Sequence, residues 1–102
     1  MRVIVFFDLP TEKESDKRAY RKFRRFLIKE GFMMMQESVY SKLALNYTGV
    51  YKILDDIKKN NPGRGSVQVL TVTEKQFSKI EIITGEKKKD NIIDSDERLI
   101  VI

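Results

Sequence analysis

Asp8 is the carboxylate whose setting in the sequence suggests a reaction. It follows Val3-Ile4-Val5-Phe6-Phe7 and precedes Leu9-Pro10. A run of β-branched and aromatic residues closed by a proline reads as a strand over 2–9, so Asp8 stands at its carboxyl end. Alternation puts Asp8 on the face of Ile4 and Phe6, opposite Val3, Val5, Phe7 and Leu9. Both faces are apolar, so the strand is central and the Ile4/Phe6 face needs cover. A second copy of the chain, related by a two-fold axis, is the simplest cover. That homodimer would bring two Asp8 side chains near each other, and facing carboxylates repel unless a cation sits between them. Mg²⁺ is a hard ion that takes one or two carboxylates together with water and phosphate oxygens. Metal-assisted phosphodiester hydrolysis is the chemistry such a pair could do. On the residues alone, the plainer role of Asp8, closing the turn into the next helix, has the stronger claim.

Much other chemistry is excluded. The 102 residues contain no Cys and no His. Disulfides, thiolate nucleophiles, imidazole bases and Ser-His-Asp triads are therefore absent. A hydrolytic water would have to be activated by a metal or a carboxylate. Gly63-Arg64-Gly65 is a loop and not a phosphate-cradling motif, since no GxxxxGK[ST] is present. No apolar run reaches the roughly 18 residues of a membrane span. The opening residues lack the length and the cleavage site of a signal peptide. The expectation is a cytoplasmic protein with no membrane partner.

The charge is unevenly placed. The chain carries a net +5, and residues 13–29 alone hold eight basic side chains against Glu14 and Asp16. Lys17, Arg18, Arg21, Lys22, Arg24 and Arg25 are the candidate nucleic-acid contacts, because a concentrated basic stripe suits a phosphate backbone. A solvated helix face is the ordinary explanation of such a run. The five Arg and Lys within 21–29, with few acidic neighbours, favour nucleic acid here. Lys87-Lys88-Lys89 is a weaker signal, offset by Glu86, Asp90 and Asp94.

The elements that must position these residues follow from periodicity. Ala19, Phe23, Phe26 and Leu27 predict a helix over 12–30, with Thr11 as N-cap, Glu14 as its capping-box partner and Gly31 as the stop. Residues 32–45 read as strand, split by a bend near Gln36-Glu37-Ser38. Its three Met residues are core filler, while Gln36, Ser38, Tyr40 and Ser41 read as solvent-facing polar positions. Val50, Ile53, Leu54 and Ile57 predict a second helix over 47–60, capped by Asn46 or Thr48. Strands are expected at 66–73, 79–84 and 97–102. The order fits an α+β fold: a ferredoxin-like βαββαβ sandwich with extra C-terminal strands, forming a homodimer. One core domain spans 1–85, a charged connector 86–96, and the terminal strand 97–102 would add to a partner sheet.

Several of these segments together resemble a known family. Phe6-Phe7-Asp8-Leu9-Pro10, Tyr20-Arg21-Lys22-Phe23-Arg24, Leu27 to Phe32 and Gln36-Glu37-Ser38-Val39-Tyr40 are similar in order and spacing to CRISPR-associated protein two. The variant looks like that of type II systems, where Phe-Asp-Leu-Pro and Thr-Glu-Lys-Gln-Phe (Thr73 to Phe77 here) are usual. The match covers essentially the whole chain. It implies a ferredoxin-like homodimer that bridges two dimers of the CRISPR adaptation integrase and helps hold a protospacer DNA duplex by backbone contacts. That structural role is the leading reading; the alternative the resemblance implies is a Mg²⁺-dependent endonuclease acting on RNA or DNA, with Asp8 as metal ligand and catalytic residue. Many members carry Tyr before that Asp; here it is Phe7, so that hydroxyl is missing. An RNA-recognition module of the same fold would need a Lys/Arg-Gly-Phe-Gly-Phe type motif, and none is present.

Overall fold

The protein was analysed as a computed structural model, which describes residues 1–85. The expected connector over 86–96 and strand over 97–102 lie outside the described residues. The elements run β1 (Arg2–Asp8), α1 (Glu14–Lys29), β2 (Met33–Gln36), β3 (Val39–Leu43), α2 (Tyr47–Lys59), β4 (Ser66–Val72) and α3 (Glu74–Phe77). One sheet has the order β2-β3-β1-β4, with every pairing antiparallel. With α1 and α2 on one face, this is the ferredoxin-like α+β arrangement.

β1 is central because its residues can be buried on the helix side at alternate positions. Val3, Val5, Phe7 and Leu9 pack with Phe23 and Leu27 of α1 and Val50, Ile53 and Ile57 of α2. Phe7 is the hub of an aromatic cluster. Its ring meets Phe23 edge-on at 5.1 Å and lies 5.8 Å from both Tyr20 and Tyr40. Such contacts add about 0.5–1.5 kcal/mol each beyond area burial. A hydroxyl on Phe7 would therefore enter the core, on the side away from Asp8. Tyr40 is buried in this cluster, and Ser41 is buried with no partner for its hydroxyl among the described residues, so neither is the solvent-facing position expected.

The bend expected at 36–38 is a tight turn. Ser38 adopts φ 65°, and the β2–β3 register shifts between Met34 and Gln36. Two boundaries differ from expectation. α1 begins at Glu14 with Lys13 as N-cap, not Thr11. The Lys13 amide donates to the Asp16 carboxylate at 3.2 Å, and Asp16 is itself held by Arg64 from the loop before β4. A local capping bond and a tertiary contact thus meet at the start of this helix. Residues 79–84 form no strand; the chain instead turns into α3 and continues with the amides of Lys79 and Ile80 bonded to the Gln76 and Phe77 carbonyls. Thr73 and Gln76 cap α3 reciprocally, side chain to backbone at 3.0 and 2.9 Å, which outweighs the Ile-Glu-Ile alternation that follows.

Candidate functional site

The register places Asp8 where alternation predicts. Asp8 pairs with Ser66, and Phe6 with Val39 on one side and Gln68 on the other. Arg2, Ile4, Phe6 and Asp8 therefore share the sheet face opposite α1 and α2, with α3 covering its Arg2 end. Asp8 is exposed and lines a cleft of about 250 Å³ with Phe6, Phe7, Glu37, Ser38, Val39, Ser66 and Gln68. The β2–β3 turn supplies Glu37 and Ser38 to this cleft, and α1 holds the turn in place. The Tyr20 hydroxyl donates to Glu37 Oε2 at 3.3 Å and lies 3.5 Å from Ser38 Oγ. The Phe7 amide donates to the Ser38 carbonyl at 3.0 Å. Away from Asp8 along the same face lie exposed apolar side chains: Phe6 is 37% exposed, Leu70, across from Ile4, 51% and Leu43, across from Arg2, 50%.

The loop between α2 and β4 closes the other side of Asp8. Gly65 has φ +70°, and a Cβ there would stand 2.5 Å from the Asp8 carbonyl oxygen. Only glycine permits both that backbone and that approach.

The basic residues of α1 occupy a different surface. Phe23 and Leu27 face the core, while Lys17, Arg18, Arg21, Lys22, Arg24 and Arg25 are all exposed. They lie on the outer side of the helix layer, whereas the Asp8 side chain is on the opposite face of the sheet. Arg21 makes a loose pair with Glu14 at 4.0 Å. The other five have no ion pair among the described residues, so this stripe keeps most of its charge. α1 thus does two jobs: its inner side steadies the turn that lines the cleft, and its outer side carries the cationic surface.

Sequence reasoning missed two arginines. Arg2 reaches Glu74 of α3 through Nε at 3.1 Å and Nη2 at 2.9 Å, and stacks over the Phe77 ring at 4.4 Å. Arg64 reaches Asp16 at 2.7 Å. No local signal could show either pair, since their partners are 72 and 48 residues away. The capping box of Thr73 and Gln76 could have shown α3.

With this geometry in view, comparisons with known proteins decide the family. The family described as CRISPR associated protein Cas2 matches residues 1–80. The chain belongs to the Cas2 family. A protein of Treponema denticola named CRISPR-associated endoribonuclease Cas2 is 55% identical to it over 102 residues, the whole of both chains. Another of that name from Streptococcus mutans is 47% identical, over 100% of this chain and 93% of the relative. A crystal structure of Streptococcus pyogenes Cas2 at pH 6.5 superimposes with a TM-score of 0.62 at 15% sequence identity, covering 82% of this chain and 100% of that one. The Cas2 fold and the resemblance carried by Phe7-Asp8-Leu9-Pro10 thus agree. Among the described residues, no helix of this Cas2 family member is long and apolar enough to cross a membrane.

Proposed function

We propose that the protein is a metal-dependent endoribonuclease that works as a homodimer, with Asp8 of each copy at a shared Mg²⁺. The position of Asp8 carries this reading: an exposed carboxylate at the rim of a cleft, on the same face as the apolar surface of Phe6, Leu43 and Leu70. A second copy covering that surface would bring the two Asp8 side chains together. The endoribonuclease name borne by close relatives supports the reading.

The donor set fits the ion. Asp8, Glu37, Ser38, Ser66 and Gln68 offer hard oxygen atoms along one cleft. Among the described residues, no three His, Cys, Asp or Glu side chains group as an all-protein metal cage. Mg²⁺ needs no such cage, because it keeps several waters and accepts phosphate oxygens. Asp8 of each copy would hold it. When bound, the ion supplies a more acidic water and neutralises charge on the phosphate. The chain's own residues do the rest: Asp8 orients the site, and the Ser38 and Ser66 hydroxyls can donate to phosphodiester oxygens across the cleft. With no imidazole in the chain, a carboxylate is the acceptor available for the proton. The test is cleavage of single-stranded RNA with Mg²⁺ or with EDTA. Wild type should cut only with Mg²⁺, and Asp8→Asn should not cut while remaining folded and dimeric. Undiminished cutting by Asp8→Asn would sink the reading.

A second reading has its own observation, the unpaired cationic face of α1. On it the protein is a structural subunit of CRISPR spacer acquisition, holding a protospacer duplex for the integrase. Because that face and Asp8 lie on opposite sides of the sheet, one dimer can serve both roles. Reversing Arg21, Arg24 and Arg25 to Glu should weaken duplex binding with little dependence on sequence. Each lost phosphate contact should lower the salt slope by about one. An unchanged slope would leave the stripe a solvated face. Integration by the purified protein with its integrase should survive Asp8→Ala if the role is structural.

A further inference from the structure

Two arginines make close carboxylate pairs, and they are built differently. Arg2 engages Glu74 through two nitrogens, lies over the Phe77 ring and is only 7% exposed. It is a strut between β1 and α3. Arg64 engages Asp16 through Nη1 alone, and its side chain is 41% exposed. A guanidinium has five N–H donors in a planar fork. The remaining donors of Arg64 have no partner among the described residues, and the side chain is partly open to solvent.

Its position is also fixed. Gly63 and Gly65 flank it with φ +74° and +70°, and Gly65 is pressed against the Asp8 carbonyl and Leu9. The next residue, Ser66, is the cross-strand partner of Asp8 and lines the cleft. On its other side Arg64 is tied to the first turn of α1, where the basic stripe begins. The Asp16 side chain is only 13% exposed, so the anchored end of the pair is fixed while the Arg64 end reaches solvent.

We infer that Arg64 is a nucleic-acid phosphate-binding residue, aimed by Asp16 through one donor, with the open edge of its fork taking the non-bridging oxygens of a phosphate between the α1 stripe and the Asp8 cleft. The inference rests on the nucleic-acid readings above and adds a contact outside the basic run. A planar fork matches two phosphate oxygens, which an ammonium cannot do.

The test measures binding of labelled single-stranded RNA and of duplex DNA in EDTA, so that cleavage does not intrude. The two probes tell which nucleic acid supplies the phosphate. Arg64→Ala should weaken binding on the order of tenfold and lower the salt slope by about one. Arg64→Lys keeps the charge without the fork and should not restore wild-type affinity. Unchanged affinity in Arg64→Ala, or full restoration by Arg64→Lys, would each overturn the inference. The Arg21/Arg24/Arg25 reversal, measured in parallel, reports on the stripe itself. Loss of binding there with no effect at Arg64 refutes the Arg64 contact alone, and no loss at either refutes the nucleic-acid role of α1.

Discussion

Replacing Gly65 by alanine should cost far more than the same change at Gly63, although only one residue separates them. Both glycines have a left-handed backbone, φ +70° and +74°. An L-residue in that conformation costs about 1–2 kcal/mol. Gly63 has nothing within 4 Å of a built Cβ, so Gly63→Ala should cost that amount and no more. At Gly65 the Cβ would meet the Asp8 carbonyl oxygen at 2.5 Å and Leu9 Cα at 2.9 Å. Backbone atoms of the central strand must move to admit it, and such overpacking adds about 1–3 kcal/mol. Gly65→Ala should therefore lose about 2–5 kcal/mol in all. In a domain of this size, each kcal/mol moves Tm by about 4–8 °C. Thermal unfolding followed by circular dichroism, at one protein concentration, should separate the two variants by at least about 4 °C. The Asp8 amide resonance should shift in Gly65→Ala and stay in place in Gly63→Ala. Equal Tm values would refute the close approach as the reason for glycine at 65.

Three further outcomes follow from the same contacts. Arg2→Met removes a nearly buried guanidinium from Glu74 and Phe77, and should lower the stability read from urea unfolding by about 1–3 kcal/mol; an unchanged midpoint would remove the strut. Ser41→Ala deletes a buried hydroxyl that has no partner among the described residues, and should be neutral or stabilising by up to about 1 kcal/mol. A loss greater than that would mean the hydroxyl is satisfied elsewhere, for instance across a dimer interface. The Arg64 hydrogen bond, and after it the Lys13 amide, hold the Asp16 carboxyl below its ordinary value of 3.8. A lowered folded-state value stabilises the native state above pH 3.8, and that contribution is lost as pH falls through the lower folded value. Arg64→Ala should raise the Asp16 titration midpoint in an NMR titration, and an unmoved midpoint would refute the link.

Much of this architecture is legible from local patterns. Val3 to Leu9 specify a strand and its faces, because side chains alternate strictly and a central strand must be apolar on its packed side. Phe23 and Leu27, and likewise Val50, Ile53 and Ile57, specify helices that bury one stripe. The side of Asp8 followed from that alternation, and the exposure of the α1 stripe followed from its helical spacing. The break at Gln36-Glu37-Ser38 was visible because the run is too long for one ordinary strand.

What escaped the sequence has a common cause. Glu37, Ser38, Ser66 and Gln68 join Asp8 at one cleft through strand pairing across tens of residues. No local pattern encodes such a register in advance of the fold. The Asp16 carboxylate that caps α1 is met by Arg64 from 48 residues away. Arg2 is buried because α3 brings it both an anion and a ring, and the capping box of Thr73 and Gln76 lost to a stronger-looking alternation at 79–84. By itself, the sequence determined which residues could form each strand and helix and which side they turn, since those depend on periodicity along the chain. Only the tertiary structure decided which polar groups meet and which arginine is a strut or stays open, since those depend on contacts that form when distant segments pack.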